Sequence, residues 1–149
     1  MKQAIIFRNY SQNFALDVVK VERIIEFELP VKIPEAANFL MGVIQYNGKV
    51  LPVIDLNMRF YGIPVINDSK SKIIVVQWND TFLGLVVDEI TGIRNVDDNR
   101  FESAAHGDGL LSRDYVEGFI KSDDEIVIFL ETSKLFNFVQ SKELIEITN

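Results

Sequence analysis

The chain has 149 residues, 48% of them apolar, no cysteine and a formal net charge of −7 at pH 7. That is enough for one domain with a real core. Acidity without a Lys/Arg cluster argues against nucleic acid and anionic membranes as partners, and the lack of cysteine excludes disulfides, thiol nucleophiles and thiolate metal sites. No apolar run is long enough to span a bilayer, and the start of the chain lacks the shape of a signal peptide, so the expected compartment is a reducing cytoplasm.

In chain order, Ala4–Arg8 and Phe14–Val18 read as strands around a polar turn. Val21–Phe27 reads as a strand or as one helical turn leading into a strand, since periodicity does not decide at this length. Pro30 and Pro34 bracket Val31-Lys32-Ile33, which marks an edge or crossing segment because proline removes a backbone donor. Ala36–Leu40 predicts a single turn before Gly42. From Gly42 to Leu56 the chain reads strand, tight turn at Asn47-Gly48, strand, short helix; Asn-Gly between apolar runs is a strong hairpin signal because both residues tolerate positive φ. Pro52 within the second strand predicts an edge or a bulge there. Asp55 is placed to cap a helix over Leu56–Tyr61 that Gly62 and Pro64 end.

Lys72–Trp78 and Thr81–Val87 predict a hairpin turning at Asn79-Asp80, and Ile90–Val96 continues as extended chain. The polar stretch Asn95–Asp114 predicts a mobile loop. Val116–Ile120 and Glu125–Leu130 predict a last hairpin, with short helices over Thr132–Phe138 and Ser141–Ile147.

The chain also repeats itself. Gly42–Phe60 lies over Gly118–Phe136 without a gap, matching Gly42 with Gly118, Asp55 with Glu131 and Phe60 with Phe136. Ile5-Ile6-Phe7 lies over Ile73-Ile74-Val75. After one inserted residue Ala15–Val18 lies over Gly84–Val87, Val21 over Ile90 and Ile24 over Ile93. The pattern predicts two copies of a small all-β unit, about residues 1–69 and 70–149, each a small barrel or sandwich. Halves of about 70 residues are marginal alone, so the two are expected to share a buried interface within one domain spanning 1–149.

Chemistry-bearing motifs are sparse. His106, the only histidine, stands in a Gly107-Asp108-Gly109 loop without a nucleophile motif, and reads as a solvated loop residue. Asp97, Asp98, Asp123, Asp124 and Glu125 read as turn formers; a competing reading, an acid-dependent enzyme, needs those turns to converge in one pocket. No catalytic residue, metal site or cofactor is expected, and Trp78 and the phenylalanines read as core.

Several stretches resemble one family. Lys20-Val21-Glu22-Arg23-Ile24, the Gly42–Leu56 hairpin, Gly84-Leu85-Val86-Val87-Asp88, Tyr115–Ile120 and Asp123–Ile128 are similar, in order and spacing, to the CheW-like domain, over about Ala4 to Phe138. The resemblance implies two SH3-like five-stranded β-barrels packed around a common core, with short helices. It implies a non-catalytic chemotaxis adaptor that couples the cytoplasmic tip of chemoreceptors to the regulatory domain of a CheA-type histidine kinase, without inserting into the membrane. The receptor tip would sit between the barrels, and the kinase domain would pair barrel to barrel. Partner contacts are expected near Val21, Arg23, Met41, Gly42, Asn47, Ile90 and Ile93. The family usually carries an acidic residue where Arg23 stands and an arginine where Asn47 stands, so this chain departs from the pattern at both positions. That departure points to altered partner choice, with a pilus-motility or other chemosensory-like pathway as the alternative setting.

Overall fold

The computed structural model describes residues 2–66, 68–104 and 114–148. His106 and the Gly107–Gly109 stretch lie outside them. Eleven strands dominate: β1 (Lys2–Asn9), β2 (Gln12–Asp17), β3 (Val21–Glu26), β4 (Leu40–Tyr46), β5 (Lys49–Asp55), β6 (Lys72–Trp78), β7 (Thr81–Val87), β8 (Glu89–Val96), β9 (Phe101–Ser103), β10 (Val116–Lys121) and β11 (Ile126–Leu130). Helices α1 (Leu56–Tyr61) and α2 (Phe138–Thr148) and short 3-10 turns at Val18–Lys20, Asp98–Arg100 and Thr132–Lys134 complete the elements of the described residues.

The strands form a six-stranded sheet, β8-β1-β2-β11-β10-β9, and a five-stranded sheet, β3-β6-β7-β5-β4. Each curls around its own small core, with Ala4, Ile6, Ala15, Val127 and Phe129 inside the first and Ile44, Leu51, Val53, Ile73, Val75 and Val86 inside the second. We call them barrel 1 and barrel 2. A third core, between them, takes Ile5, Phe7, Phe14 and Leu16 from barrel 1 and Ile74, Val76, Leu83 and Leu85 from barrel 2. Alternate residues of β1, β2, β6 and β7 thus face a barrel interior or the shared core. Strands buried on both faces read as continuous apolar runs rather than as alternation, which explains Ile73-Ile74-Val75-Val76.

The sequence repeat is structural, with its strands exchanged. Barrel 1 takes its first two strands from the first half and the rest from the second; barrel 2 does the reverse. Matched strands keep one register. Ile5 faces Leu16 and Phe7 faces Phe14, as Ile74 faces Leu85 and Val76 faces Leu83. Irregularities recur at matched places, where Ile90 and Gly92 straddle the shift in β8 and Val21 and Arg23 straddle it in β3. Both hairpin turns, Tyr10-Ser11 and Asn79-Asp80, have positive φ at each residue. The inserted residue of the sequence alignment is therefore unnecessary, since Ile5 corresponds to Ile74.

The hairpin Gly42–Leu56 forms as its residues predict. Asn47 and Gly48 take φ of 49° and 75°, and Asp55 accepts the Met58 N–H through Oδ1 at 3.0 Å and the Val65 N–H through Oδ2 at 3.0 Å. Pro52 is not on an edge, because β5 lies between β7 and β4. It faces Val43, whose own N–H and C=O turn the other way to Val31 at 2.9 Å, and pairing with β7 starts only at Val53, so the missing donor is never needed. The segment read as a mobile loop contains the 3-10 turn Asp98–Arg100 and β9, which gives barrel 1 a sixth strand beyond the five expected. Of the helix expected over Thr132–Phe138, Thr132–Lys134 forms a 3-10 turn and Phe138 opens α2, which begins earlier than expected.

Candidate functional site

Two elements hold the barrels in register. The Asp55 N–H donates to Phe39 O at 2.8 Å and, at the matched place, the Glu131 N–H donates to Tyr115 O at 2.7 Å. Each aromatic ring so anchored stacks across the seam, Phe39 on Phe136 at 5.0 Å and Tyr115 on Phe60 at 5.2 Å. The second element is a polar bridge. The buried Asn9 amide donates to Asn57 Oδ1 at 2.8 Å, Asn57 donates to Asp88 Oδ1 at 3.1 Å, and Asp88 Oδ2 accepts the Tyr10 N–H at 2.8 Å. These contacts explain the Asp88 of the Gly84–Asp88 motif.

The positions singled out by resemblance fall on this frame as follows. Val21 on β3 and Ile90 on β8 are matched residues, half-buried against the shared core. Ile93 is 63% exposed on β8, and its counterpart Ile24 on β3 is 39% exposed. Both strands are sheet edges, so apolar side chains flank the seam on two unpaired edges. Arg23 is exposed and its guanidinium lies 5.9 Å from the centre of the Tyr46 ring, a cation–π distance. Asn47 is exposed at the adjoining turn, and Met41 is half-buried against the interior of barrel 2. Gly42 is the exception. It is buried with φ 151°, and an added Cβ would come within 2.3 Å of the Val31 carbonyl oxygen. Its missing side chain lets the Pro30–Val31 segment lie against β4.

Sequence reasoning missed an apolar surface beside it. Leu29, Val31 and Val50, 74%, 70% and 46% exposed, line a shallow groove of about 450 Å³ together with Val43. The signal was present in the prolines around Val31, which mark a segment that meets the free edge of β4 through the single antiparallel bridge Val31–Val43. The Tyr10 and Tyr61 rings lie 5.2 Å apart, tilted by 36°. Burial, and then the neighbouring Tyr115, push the Tyr61 phenol above its usual 10.0. Asp97, Asp98, Asp123 and Asp124 are all exposed, and among the described residues no three acidic or histidine side chains gather as a metal-holding group. Among the described residues no helix is long and apolar enough to cross a membrane.

Residues 3–140 match the CheW-like domain family. The chain is 26% identical to the chemotaxis protein CheW of Thermotoga maritima over 141 residues, covering 95% of this chain and 91% of that protein. It is 28% identical to a probable chemotaxis protein CheW of Rhizobium etli, with the same coverage. The crystal structure of the scaffolding protein TtCheW from Thermoanaerobacter tengcongensis superposes with a TM-score of 0.82 at 29% identity, covering 93% of this chain and 90% of that one.

Proposed function

The chain belongs to the CheW-like domain family, and from that premise we propose that it is a non-catalytic adaptor of chemotaxis signalling, coupling chemoreceptor tips to the regulatory domain of a CheA-type histidine kinase in the cytoplasm. The observation that carries this reading is the likeness to a scaffolding protein over nearly the whole of both chains. The exposed edges of β3 and β8 support it. Val21, Ile90 and Ile93 offer apolar contact beside the seam, and Arg23, Met41 and Asn47 offer a second surface at one end of barrel 2. An adaptor of this kind works by position. It holds receptor and kinase in one geometry, so that a receptor movement with different contact energy in two states biases the kinase between them.

A second reading places the chain in a pilus-motility or other chemosensory-like pathway. Arg23 favours it: where the family usually carries an acid, this chain has a cation resting on Tyr46, and a partner matched to the opposite charge would be rejected. Calorimetric titration with a kinase regulatory domain and with a receptor-tip fragment tests the proposal. Micromolar binding to both is expected, and binding to neither overturns it.

A further inference from the structure

The turn between β4 and β5 carries a dipeptide whose chemistry neither the fold nor the adaptor reading uses. Asn47 is the only asparagine in the chain followed by glycine. Asparagine is thermolabile: where the next backbone nitrogen reaches its side-chain carbonyl carbon, the amide is lost. Both groups belong to one chain, so the rate is set by how readily they meet. A side chain on the following residue obstructs that meeting and stiffens the backbone, and glycine does neither.

The structure holds this pair in the open. Asn47 and Gly48 are both exposed. The β4–β5 ladder ends at the Tyr46–Lys49 pair, so the Gly48 N–H lies beyond it, and a Cβ placed on Gly48 would meet nothing within 4 Å. Barrel 2 also supplies a built-in control. Asn79-Asp80 turns β6 into β7 with both residues exposed and φ of 45° and 61°, against 49° and 75° for Asn47-Gly48. The two turns are alike in backbone and exposure, but the residue after Asn79 carries a side chain.

We propose that Asn47 is a site of spontaneous deamidation, which turns the neutral tip of the β4–β5 hairpin into an anionic one as the molecule ages. The Gly48 nitrogen bonds to Asn47 Cγ and gives up its proton. The bond from Cγ to Nδ2 breaks, and that nitrogen leaves with the proton as ammonia. Water then adds to either carbonyl of the cyclic imide and opens it to aspartate or to isoaspartate, releasing the carboxyl proton to solvent. Aspartate before glycine suits the same turn, whereas isoaspartate inserts one more carbon into the main chain of a two-residue loop. Either product sets a carboxylate next to Tyr46, over whose ring the Arg23 guanidinium lies at 5.9 Å, and close in sequence to Lys49. An exposed pair of this kind adds little stability; what changes is the charge that this end of barrel 2 presents. The modification stands apart from the adaptor reading, since it needs no partner.

The full chain is incubated in native buffer at mildly alkaline pH, then digested and mapped by mass spectrometry, with isoaspartate labelled by a protein-isoaspartate methyltransferase. The expected result is loss of the amide at Asn47, with both aspartate and isoaspartate there, a matching release of ammonia and stronger retention on anion exchange, while Asn79 keeps its amide. Gly48→Ala should slow the conversion about tenfold, about 1.4 kcal/mol on the barrier. Open space around Gly48 lets that variant fold, and the Asn79 comparison needs no variant at all. Asn47→Gln should abolish the shift on anion exchange. An intact Asn47 after prolonged incubation, loss at Asn79 as fast as at Asn47, or a rate that Gly48→Ala leaves unchanged overturns the proposal.

Discussion

Barrel 1 and barrel 2 set matched strands in one register but carry different side chains at matched positions. Gly92 stands against Arg23, Asn9 against Trp78, and Asp123-Asp124-Glu125 against Asn47-Gly48-Lys49. Most residues facing the shared core stay apolar in both, Asn9 against Trp78 and Thr132 against Leu56 being exceptions, while the turns and edge strands have diverged. One seam contact is locked by the Asn9–Asn57–Asp88 bridge; its counterpart, where Trp78 and Ser133 stand, has no such bridge and opens onto a pocket. A duplicated unit thus keeps most of its packing and varies its surface chemistry, so that one fold presents two different faces.

The sharpest way to break the comparison is at the matched glycines. Gly42→Ala should cost about 3 kcal/mol or more, from overpacking plus strain at positive φ, because the added Cβ would meet the Val31 carbonyl oxygen at 2.3 Å. Gly118→Ala should cost less, about 1–2 kcal/mol. Its clashes at 2.5 Å are with Glu102 O and the Phe101 ring, both on β9, a three-residue edge strand that can move away. Denaturant unfolding of both variants checks the order, and equal losses would mean that β9 is held as firmly as the crossing segment.

A smaller effect separates the two seam contacts. Asn57→Ala leaves Asn9 and Asp88 short of partners and should cost about 1–3 kcal/mol, whereas Ser133→Ala, at an exposed residue, should stay within about 0.5 kcal/mol. Gly48→Val should cost about 1–2 kcal/mol, through the left-handed backbone alone, because nothing lies within 4 Å of its position. An unchanged midpoint would show that the turn does not need Gly48.

The smallest effect is alkaline. The Tyr61 phenol holds its proton more tightly in the folded state than its ordinary value of 10.0. The unfolded chain therefore loses that proton first, so this contribution is complete below about pH 10 and is lost as pH rises through the folded value. Tyr61→Phe should flatten that part of the stability curve, and a profile identical to the parent's would remove Tyr61 from it.

Much of this fold was legible in the chain. Lys72–Trp78 and Thr81–Val87 are strands with the bounds their residues predict, and Asn47-Gly48 makes its turn, because these signals are local. The two-barrel architecture followed from the family resemblance together with the matched glycines, acids and phenylalanines. The exchange of β1 and β2 between barrels was not legible, because which distant strands pair is not written in the period of either. β9 was missed because Phe101-Glu102-Ser103 is short and polar outside its one aromatic ring. The packing role of Gly42 was not legible because it depends on Val31, a neighbour that only the folded chain brings near. The Leu29–Val31–Val50 groove likewise depends on burial, which the sequence does not state.

An adaptor must hold two partners at once, and the most direct test is a titration in two stages. The chain is first saturated with the kinase regulatory domain, then titrated with the receptor-tip fragment. If the β3 and β8 edges and the Arg23–Asn47 end of barrel 2 are separate contact surfaces, receptor affinity should stay within about threefold of its value without kinase, under about 0.7 kcal/mol, and Ile93→Glu should weaken the receptor step alone. Mutual exclusion of the two partners would contradict the account.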